Sequence, residues 1–257
     1  MGIVGGELAY RFLRWYADGD GANGMDGSAY RGTSKLRVLL GDALLGELRD
    51  KDVIDFGCGD GAETIEIAQA GARSVVGVDI QTARFPDATQ RAVAAGVADR
   101  VRFTARSETS ADVIVSIDSF EHFAEPAQIL RIMADLLRPG GRVVASFGPT
   151  WFHPLGGHLF SVFPWAHLLF TEAAMIRWRS DFKTDGARRF ADVAGGLNQM
   201  TIGRFERLVA ASPFHVVQIE AVPIRRLRPI ANALTREFTT AIVRCTLELR
   251  AESPATR

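Results

Sequence analysis

The chain has 257 residues, of which 47% are hydrophobic and 23% charged, and these values are ordinary for a soluble globular protein. Thirty basic residues balance thirty acidic ones, so composition excludes a net charge that would attract nucleic acid or an anionic membrane to the whole protein. We expect no secretory signal, because the first residues lack a basic region followed by an apolar run and a small-residue cleavage site. We expect no membrane span, because no apolar run approaches the roughly 20 residues that cross a bilayer. Cys58 and Cys245 show no metal-type spacing, so we expect free thiols in a cytoplasmic protein.

The first fifty residues predict a helical cover for the rest of the chain. Helical patterns run over 6–17 and 33–48, and a glycine-rich segment between them is neither helix nor strand. Tyr30 and Arg31 lie in this connection. They either cover a bound ligand or belong to a loop that caps the helix beginning at Ser34, and the sequence leaves both readings open.

From Lys51 onward, short β-branched runs alternate with helical stretches, a pattern typical of a parallel sheet covered by helices on both faces. The predicted strands are 52–56, 73–79, 100–105, 112–117 and 142–147, with helices near 61–70, 81–95 and 125–138. The sequence therefore predicts a doubly wound α/β fold.

After the fifth strand the alternation stops. Residues 149–200 are rich in aromatics, glycine and histidine and contain no clear strand, so we expect an insertion that forms a lid. A helix from Thr201 through Ala211 and long strands over 214–224 and 238–249 follow. We expect one domain over 1–257, made of a cover (1–50), a ligand-binding core (51–148), the lid (149–200) and the end of the sheet (201–257).

The loop after the first strand predicts a nucleotide-like ligand. A strand that ends in a glycine-rich turn before a helix lets a ligand approach the backbone, and the residues concerned are Asp55, Gly57, Cys58, Gly59 and Gly61. The spacing is G-x-G-x-G, and Asp55 and Asp60 flank the turn. These carboxylates would repel a pyrophosphate but favour a cationic ligand.

Asp79 ends the second predicted strand and Ile80 follows it. A carboxylate there can accept hydrogen bonds from ribose hydroxyls, with Ile80 beside the base. The alternative is that Asp79 caps the helix beginning near Thr82.

Four segments in chain order resemble the motifs of class I S-adenosylmethionine (SAM)-dependent methyltransferases, in the small-molecule branch that includes quinone-biosynthesis enzymes. The segments are Val53 to Gly61, Asp79, Asp112 to Phe123 and Leu137 to Val144, and the match covers about 50–148. The resemblance implies a seven-stranded, mostly parallel sheet of order 3-2-1-4-5-7-6 with strand 7 antiparallel. It also implies SAM as methyl donor, S-adenosylhomocysteine as product, and Asp118 and Ser119 at the cofactor. One departure concerns the acid that follows strand three in many relatives; here Ser107 or Glu108 is expected to contact the adenine.

Three histidines are candidates for the acceptor side. His122 follows strand four, where it either touches the acceptor or orients the loop. His158, with His153 at the start of the same insertion, suits proton removal if its pKa is near normal. No compact carboxylate or thiolate set accompanies the histidines of the insertion, so we expect no metal site.

We therefore expect methyl transfer to a small, partly apolar acceptor, chiefly at oxygen, with carbon, nitrogen or a peptide as alternatives. The rival functions are a SAM-binding protein without transferase activity, a nicotinamide-dependent oxidoreductase, and a protein or RNA methyltransferase. The neutral charge argues against nucleic acid. The sequence does not predict the oligomeric state.

Overall fold

The structure, a computed structural model, describes residues 2–17, 33–160, 162–193 and 196–251. Its centre is a seven-stranded sheet formed by β1 (Asp52–Phe56), β2 (Ser74–Val78), β3 (Val101–Thr104), β4 (Ala111–Ile117), β5 (Leu137–Phe147), β6 (Phe214–Pro223) and β7 (Thr240–Leu249). The strand order is β3-β2-β1-β4-β5-β7-β6. The first five strands are mutually parallel, and β7 runs antiparallel to both β5 and β6. The predicted fold is confirmed.

Over the ranges that it describes, the structure contains every helix that the sequence predicts, and also three that it does not predict, two in the insertion and one before β7. The helices are α1 (Gly6–Tyr16), α2 (Lys35–Leu40), α3 (Asp42–Glu47), α4 (Ala62–Gln69), α5 (Phe85–Ala94), α6 (Pro126–Leu136), α7 (Ala166–Leu169), α8 (Glu172–Arg179), α9 (Ile202–Ala210) and α10 (Arg236–Thr239). No helix among the described residues is long and apolar enough to cross a bilayer.

Three predicted boundaries are wrong. The single helix expected over 33–48 is divided at Gly41, whose φ of 90° no helix accommodates. The last strand begins at Thr240 because α10 occupies the residues before it. The fifth strand begins at Leu137, and an irregularity in its pairing with β4 takes up the Pro-Gly-Gly segment expected only to end the preceding helix.

Alternate residues of each central strand enter different cores. In β1, Val53 packs with the α2 to α5 side of the sheet, and Ile54 packs with the side that holds α6 and α9. Side chains of a strand point alternately to its two faces, so both faces of this sheet must be covered. With both faces covered, the carboxyl ends of the parallel strands form the edge of the sheet at which ligands bind in such folds.

The insertion after β5 forms a third core together with α1. Its aromatic side chains Trp151, Phe160, Phe170, Trp178 and Phe190 are buried there beside Ala9 and Leu13 of α1. Val4 also forms an isolated bridge with Phe170. Most of these aromatics therefore stabilise the insertion itself and are not available to a substrate.

Candidate active site

The candidate site lies where β1, β2 and β4 end. Because these three strands are parallel neighbours, the loops after Phe56, Val78 and Ile117 meet at one edge of the sheet. Most of the residues predicted from the sequence to bind the cofactor lie on these three loops, and Asp55 lies at the end of β1. Ser107 lies beyond β3, while Tyr30 and Arg31 fall outside the residues that the structure describes.

The glycine loop depends on backbone conformations that side chains rarely adopt. Gly57 has φ of 86°, and a Cβ there would lie closer to Ser119 Oγ than real contacts allow. Gly61 has φ of 81° at the N-cap of α4, and a Cβ there would lie 2.6 Å from the Phe103 ring. Both glycines are therefore required by the loop's path.

We expect Gly57→Ala to destabilise the protein by about 1–3 kcal/mol, because alanine must adopt a left-handed conformation against Ser119. Thermal unfolding would then begin several degrees lower, at about 2–4 °C per kcal/mol for a chain of this size. Gly46→Ala in α3 is the matched control, since a Cβ there meets nothing within 4 Å. Equal melting temperatures for wild type and Gly57→Ala would contradict the loop geometry.

Asp79 holds the turn between β2 and the following helix. Its Oδ2 accepts a hydrogen bond from the Gly59 amide at 2.8 Å, and its Oδ1 accepts one from the Gln81 amide at 2.7 Å. Ile80 beside it is 89% exposed. Each carboxylate oxygen keeps a lone pair, so Asp79 can still accept hydrogen bonds from two ligand hydroxyls.

Asp55 lies beneath the glycine loop. It is buried, and its Oδ2 accepts a hydrogen bond from Thr64 Oγ1 at 2.6 Å. Burial, followed by repulsion from Glu63 and Asp79, raises the pKa of Asp55 to about 7 although the Thr64 hydrogen bond opposes the shift. A nearby ligand cation would favour the ionised form.

The raised pKa of Asp55 makes a prediction about stability. Between the unfolded pKa of 3.8 and the folded value of about 7 the folded state binds more protons, so wild-type stability falls as pH rises through that window. Asp55→Asn keeps an oxygen for Thr64 but cannot ionise. We expect the ligand-free variant to be more stable than wild type at pH 8, on the order of 1–4 kcal/mol, and the gain to shrink towards pH 4.

Urea unfolding at pH 4.5, 6 and 8 measures this difference. Asp135→Asn on the exposed face of α6 is the control that should show no such trend. Parallel pH dependence of wild type and Asp55→Asn would refute the assignment.

Other loop residues have partners that limit their roles. Asp60, expected to favour a cation, is paired with Arg91 at 3.4 Å. The Cys58 thiol is buried, and burial raises its pKa. Ser107 is buried in its own turn, where its Oγ lies 3.1 Å from Thr109 Oγ1, and Glu108 beside it is exposed. The contact to an adenine therefore stays a prediction.

The loop after β4 begins with a strained residue. Asp118 has φ of 48°, and its Oδ2 lies 3.4 Å from Lys35 Nζ. Burial raises the pKa of Asp118, and Lys35 opposes that shift. The next residue, Ser119, donates through Oγ to the Ile117 carbonyl at 2.8 Å. Left-handed residues other than glycine are costly and concentrate at functional sites.

Glu121, His122 and His158 come together from two parts of the chain. The imidazole centroids of His122 and His158 are 5.2 Å apart. Glu121 is 2% exposed, and its Oε1 accepts from the Gly148 amide at 3.0 Å. Its Oε2 has no hydrogen-bond partner among the described residues. Burial raises the pKa of Glu121, with Asp118 adding to the shift.

The expected near-normal pKa of His158 is wrong. Burial, with a smaller contribution from His122, lowers it to about 4, so the imidazole is neutral at neutral pH. His158 also has φ of 50°, another left-handed residue at this edge. His153 lies close by in sequence, but its Nδ1 accepts from the Leu155 amide within its own turn, and burial lowers its pKa to about 4.

Sequence reasoning missed Glu121 and Lys35 as members of the site. Glu121 was visible as the neighbour of His122 in the fourth-strand motif, but only the fold shows that its carboxylate is buried. Lys35 lies on α2, distant in sequence from Asp118, so no local pattern could reveal the pair.

This sheet order, with the glycine loop after β1 and an acid at the end of β2, defines the fold of class I SAM-dependent methyltransferases. A family model for a methyltransferase domain matches residues 33–219. That range is more than half of the chain, so the chain belongs to this family, whose methyl donor is SAM.

Named relatives match a smaller part. The ubiquinone biosynthesis O-methyltransferase of Neisseria meningitidis serogroup C (strain 053442) is 36% identical over 107 residues, which make up 39% of this chain and 45% of that protein. The match thus spans less than half the length of that relative.

Two solved structures show the same fold. One is the 1,6-didemethyltoxoflavin-N1-methyltransferase of Burkholderia thailandensis with bound 1,6-didemethyltoxoflavin and S-adenosylhomocysteine, which is 23% identical, covers 95% of this chain and 88% of that one, and has a TM-score of 0.51. The other is the [4+2]-cyclase SpnF, with 14% identity, coverage of 98% and 100%, and a TM-score of 0.54. At these identities the likeness concerns the fold alone.

Proposed function

We propose that this chain transfers a methyl group from SAM to a hydroxyl oxygen of a small, partly apolar acceptor in the cytoplasm. The observation that carries the proposal is that the glycine loop, Asp79 and the His122–His158 pair share one edge of the sheet. The O-methyltransferase relative supports oxygen as the methylated atom and a quinone-like phenol as the acceptor class.

The donor side is formed by the glycine loop and the two acids. Asp79 retains lone pairs for the ribose hydroxyls, and the exposed Ile80 offers an apolar surface that a base would cover. Asp55 supplies a negative charge beneath the loop when it ionises. SAM supplies an electrophilic methyl group on a sulfonium, so the protein must align this group with the acceptor and exclude water.

The acceptor side is formed by the two histidines. The neutral imidazole of His158 accepts a hydrogen bond from the acceptor hydroxyl and orients its oxygen towards the methyl group. As the C–O bond forms and the C–S bond breaks, the hydroxyl becomes strongly acidic and its proton passes to the imidazole. Even a base with a pKa of about 4 suffices for a proton that acidic.

The alternatives differ in the atom that accepts the methyl group, or in whether a methyl group is transferred at all. Nitrogen, carbon or a peptide side chain as acceptor would use the same donor side. A SAM-binding protein without transfer, or one with other chemistry on this fold, would bind the cofactor and release no methylated product. A nicotinamide-dependent oxidoreductase is disfavoured because the usual dinucleotide fold lacks the antiparallel β7 between β5 and β6.

The test is incubation with tritiated SAM and a panel of small phenols, matched anilines, and a metabolite extract. We expect label in an O-methyl ether and none in the matched anilines. Label in the anilines alone would replace oxygen by nitrogen. S-adenosylhomocysteine binding without any labelled product would overturn the proposed activity.

A further inference from the structure

Three metal-ligating side chains lie together at the acceptor side of the site. One potential ligand atom from each of Glu121, His122 and His158 lies within 4.8 Å of the other two. The groups come from the loop after β4 and from the insertion, so the fold brings them together. The sequence predicts no metal because no carboxylate accompanies the insertion's histidines, and Glu121 supplies that carboxylate.

Both imidazoles are held in the tautomer that suits a ligand. His122 Nδ1 lies 2.6 Å from the Gly196 carbonyl oxygen, and His158 Nδ1 lies 3.1 Å from the Gly156 carbonyl oxygen. A carbonyl oxygen only accepts, so each Nδ1 carries a proton and the lone pair available to a metal ion is the one on Nε2. Histidines that bind metals commonly donate their other N–H in this way, which fixes the ring.

The third ligand is the carboxylate of Glu121. Its Oε2 is fully buried and lacks a hydrogen-bond partner among the described residues, while Oε1 is held by the Gly148 amide. A buried carboxylate oxygen without a partner is costly, and a metal ion is one of the few groups that can compensate it. This orphaned oxygen points independently to a ligand.

We propose that Glu121, His122 and His158 bind a divalent first-row transition-metal ion. Two imidazoles and one carboxylate form a ligand set that Zn²⁺ and Fe²⁺ use, with further positions left to water or a substrate oxygen. Ligand atoms about 2.0–2.2 Å from a zinc ion lie roughly 3.3–3.6 Å apart. To bring ligand atoms that lie within 4.8 Å of one another to this separation, each side chain must move by less than about 1 Å.

The metal site adds a catalytic group to the proposed function. Its role in catalysis rests on that proposed function. A metal-bound hydroxyl is more acidic than a free one, so an acceptor that replaced a water ligand would release its proton to solvent water on binding and be held as an oxyanion. The oxyanion would form the C–O bond as the C–S bond of SAM breaks and S-adenosylhomocysteine leaves. The metal would then take over the orienting role that His158 has in the metal-free site. Metal binding itself requires no methyl transfer and is tested separately.

The experiment uses the full chain with any histidine tag removed and metals stripped by a chelator. Calorimetry with Zn²⁺ should give one tight site per chain, and Co²⁺ should give visible absorption bands that report nitrogen and oxygen ligands. Glu121→Gln keeps the side-chain volume and the Gly148 hydrogen bond, and it should weaken Zn²⁺ binding at least tenfold. His158→Ala should do the same, by about 10- to 100-fold or more.

The control is His215→Ala on β6, where the imidazole is exposed and remote from the three groups in the fold. It should bind Zn²⁺ as the wild type does, and circular dichroism and S-adenosylhomocysteine binding verify that the variants fold. No stoichiometric Zn²⁺ site, or equal binding by wild type, Glu121→Gln and His158→Ala, overturns the inference. Zn²⁺ binding lost in these variants, but with no methyl transfer in any protein, would support the metal site and refute the proposed function.

Discussion

Asp79→Ala should lower affinity for S-adenosylhomocysteine at least about 100-fold, close to 3 kcal/mol. In the proposed cofactor site the substitution removes a carboxylate that accepts from two ribose hydroxyls, and hydrogen bonds to charged groups contribute about 1.5–3 kcal/mol each. It also removes the carboxylate that accepts from the amides of Gly59 and Gln81, so the glycine loop loses its support from the second strand.

Calorimetric titration of the purified variant measures the loss. Asp60→Ala is the matched control: it lies on the same loop, but its side chain is 54% exposed and paired with Arg91, so affinity should change less than threefold. Unchanged affinity in a folded Asp79→Ala protein would remove Asp79 from the cofactor site. Equal losses in both variants would show that only the loop's total charge matters.

Asp79 illustrates how far the sequence predicts this site. The residues of the donor side can be predicted from local sequence, because each motif lies at the end of one strand. The strand order follows from the alternation of short apolar runs and helices. The environment of the charged residues around the loop does not follow from the sequence. Asp60 is engaged by Arg91 on α5, and Asp55 is buried under the loop, so neither meets a ligand as a free surface charge.

The acceptor side could not be predicted in the same way, because it depends on contacts between distant segments. His122 and His158 approach each other only because the insertion folds back over the end of β4, where Asn198 donates to the carbonyl oxygens of Phe120 and Phe123. Most of the aromatic residues that indicate a substrate lid in the sequence are buried in a core that the insertion forms with α1. Composition alone cannot separate aromatics that line a cavity from those that stabilise a small core.

The role of each histidine of the insertion depends on its burial and its hydrogen-bond partners in the fold, and not on its neighbours in the sequence. His167 follows Pro164 and Trp165 in an apolar run, and in the structure it is buried with Nε2 2.6 Å from the Trp151 carbonyl oxygen. It therefore has a structural role. His158 instead contacts the Gly156 carbonyl oxygen through Nδ1, and in the proposed site its Nε2 faces the ligand.

Replacing His158 should lower the rate of methyl transfer by about 100-fold while leaving affinity for S-adenosylhomocysteine within twofold. In the proposed reaction the imidazole contacts the acceptor and not the donor, and a positioned proton acceptor contributes about 10²–10⁴ in rate. His158→Asn is the cleaner variant beside His158→Ala, because asparagine tolerates the left-handed backbone at φ of 50° better than alanine does. A fall in rate shared by both variants is then due to the missing imidazole and not to the backbone.

Single-turnover measurements with saturating SAM separate this effect from product release, and His215→Ala is the control for loss of an exposed histidine. A matching loss of cofactor affinity would instead mean that the insertion supports the donor side. An unchanged rate in both His158 variants would exclude the residue from the reaction. That outcome would leave His122, on the loop after β4, as the histidine that meets the acceptor, since its Nδ1 is likewise held by a backbone carbonyl and its Nε2 keeps the lone pair.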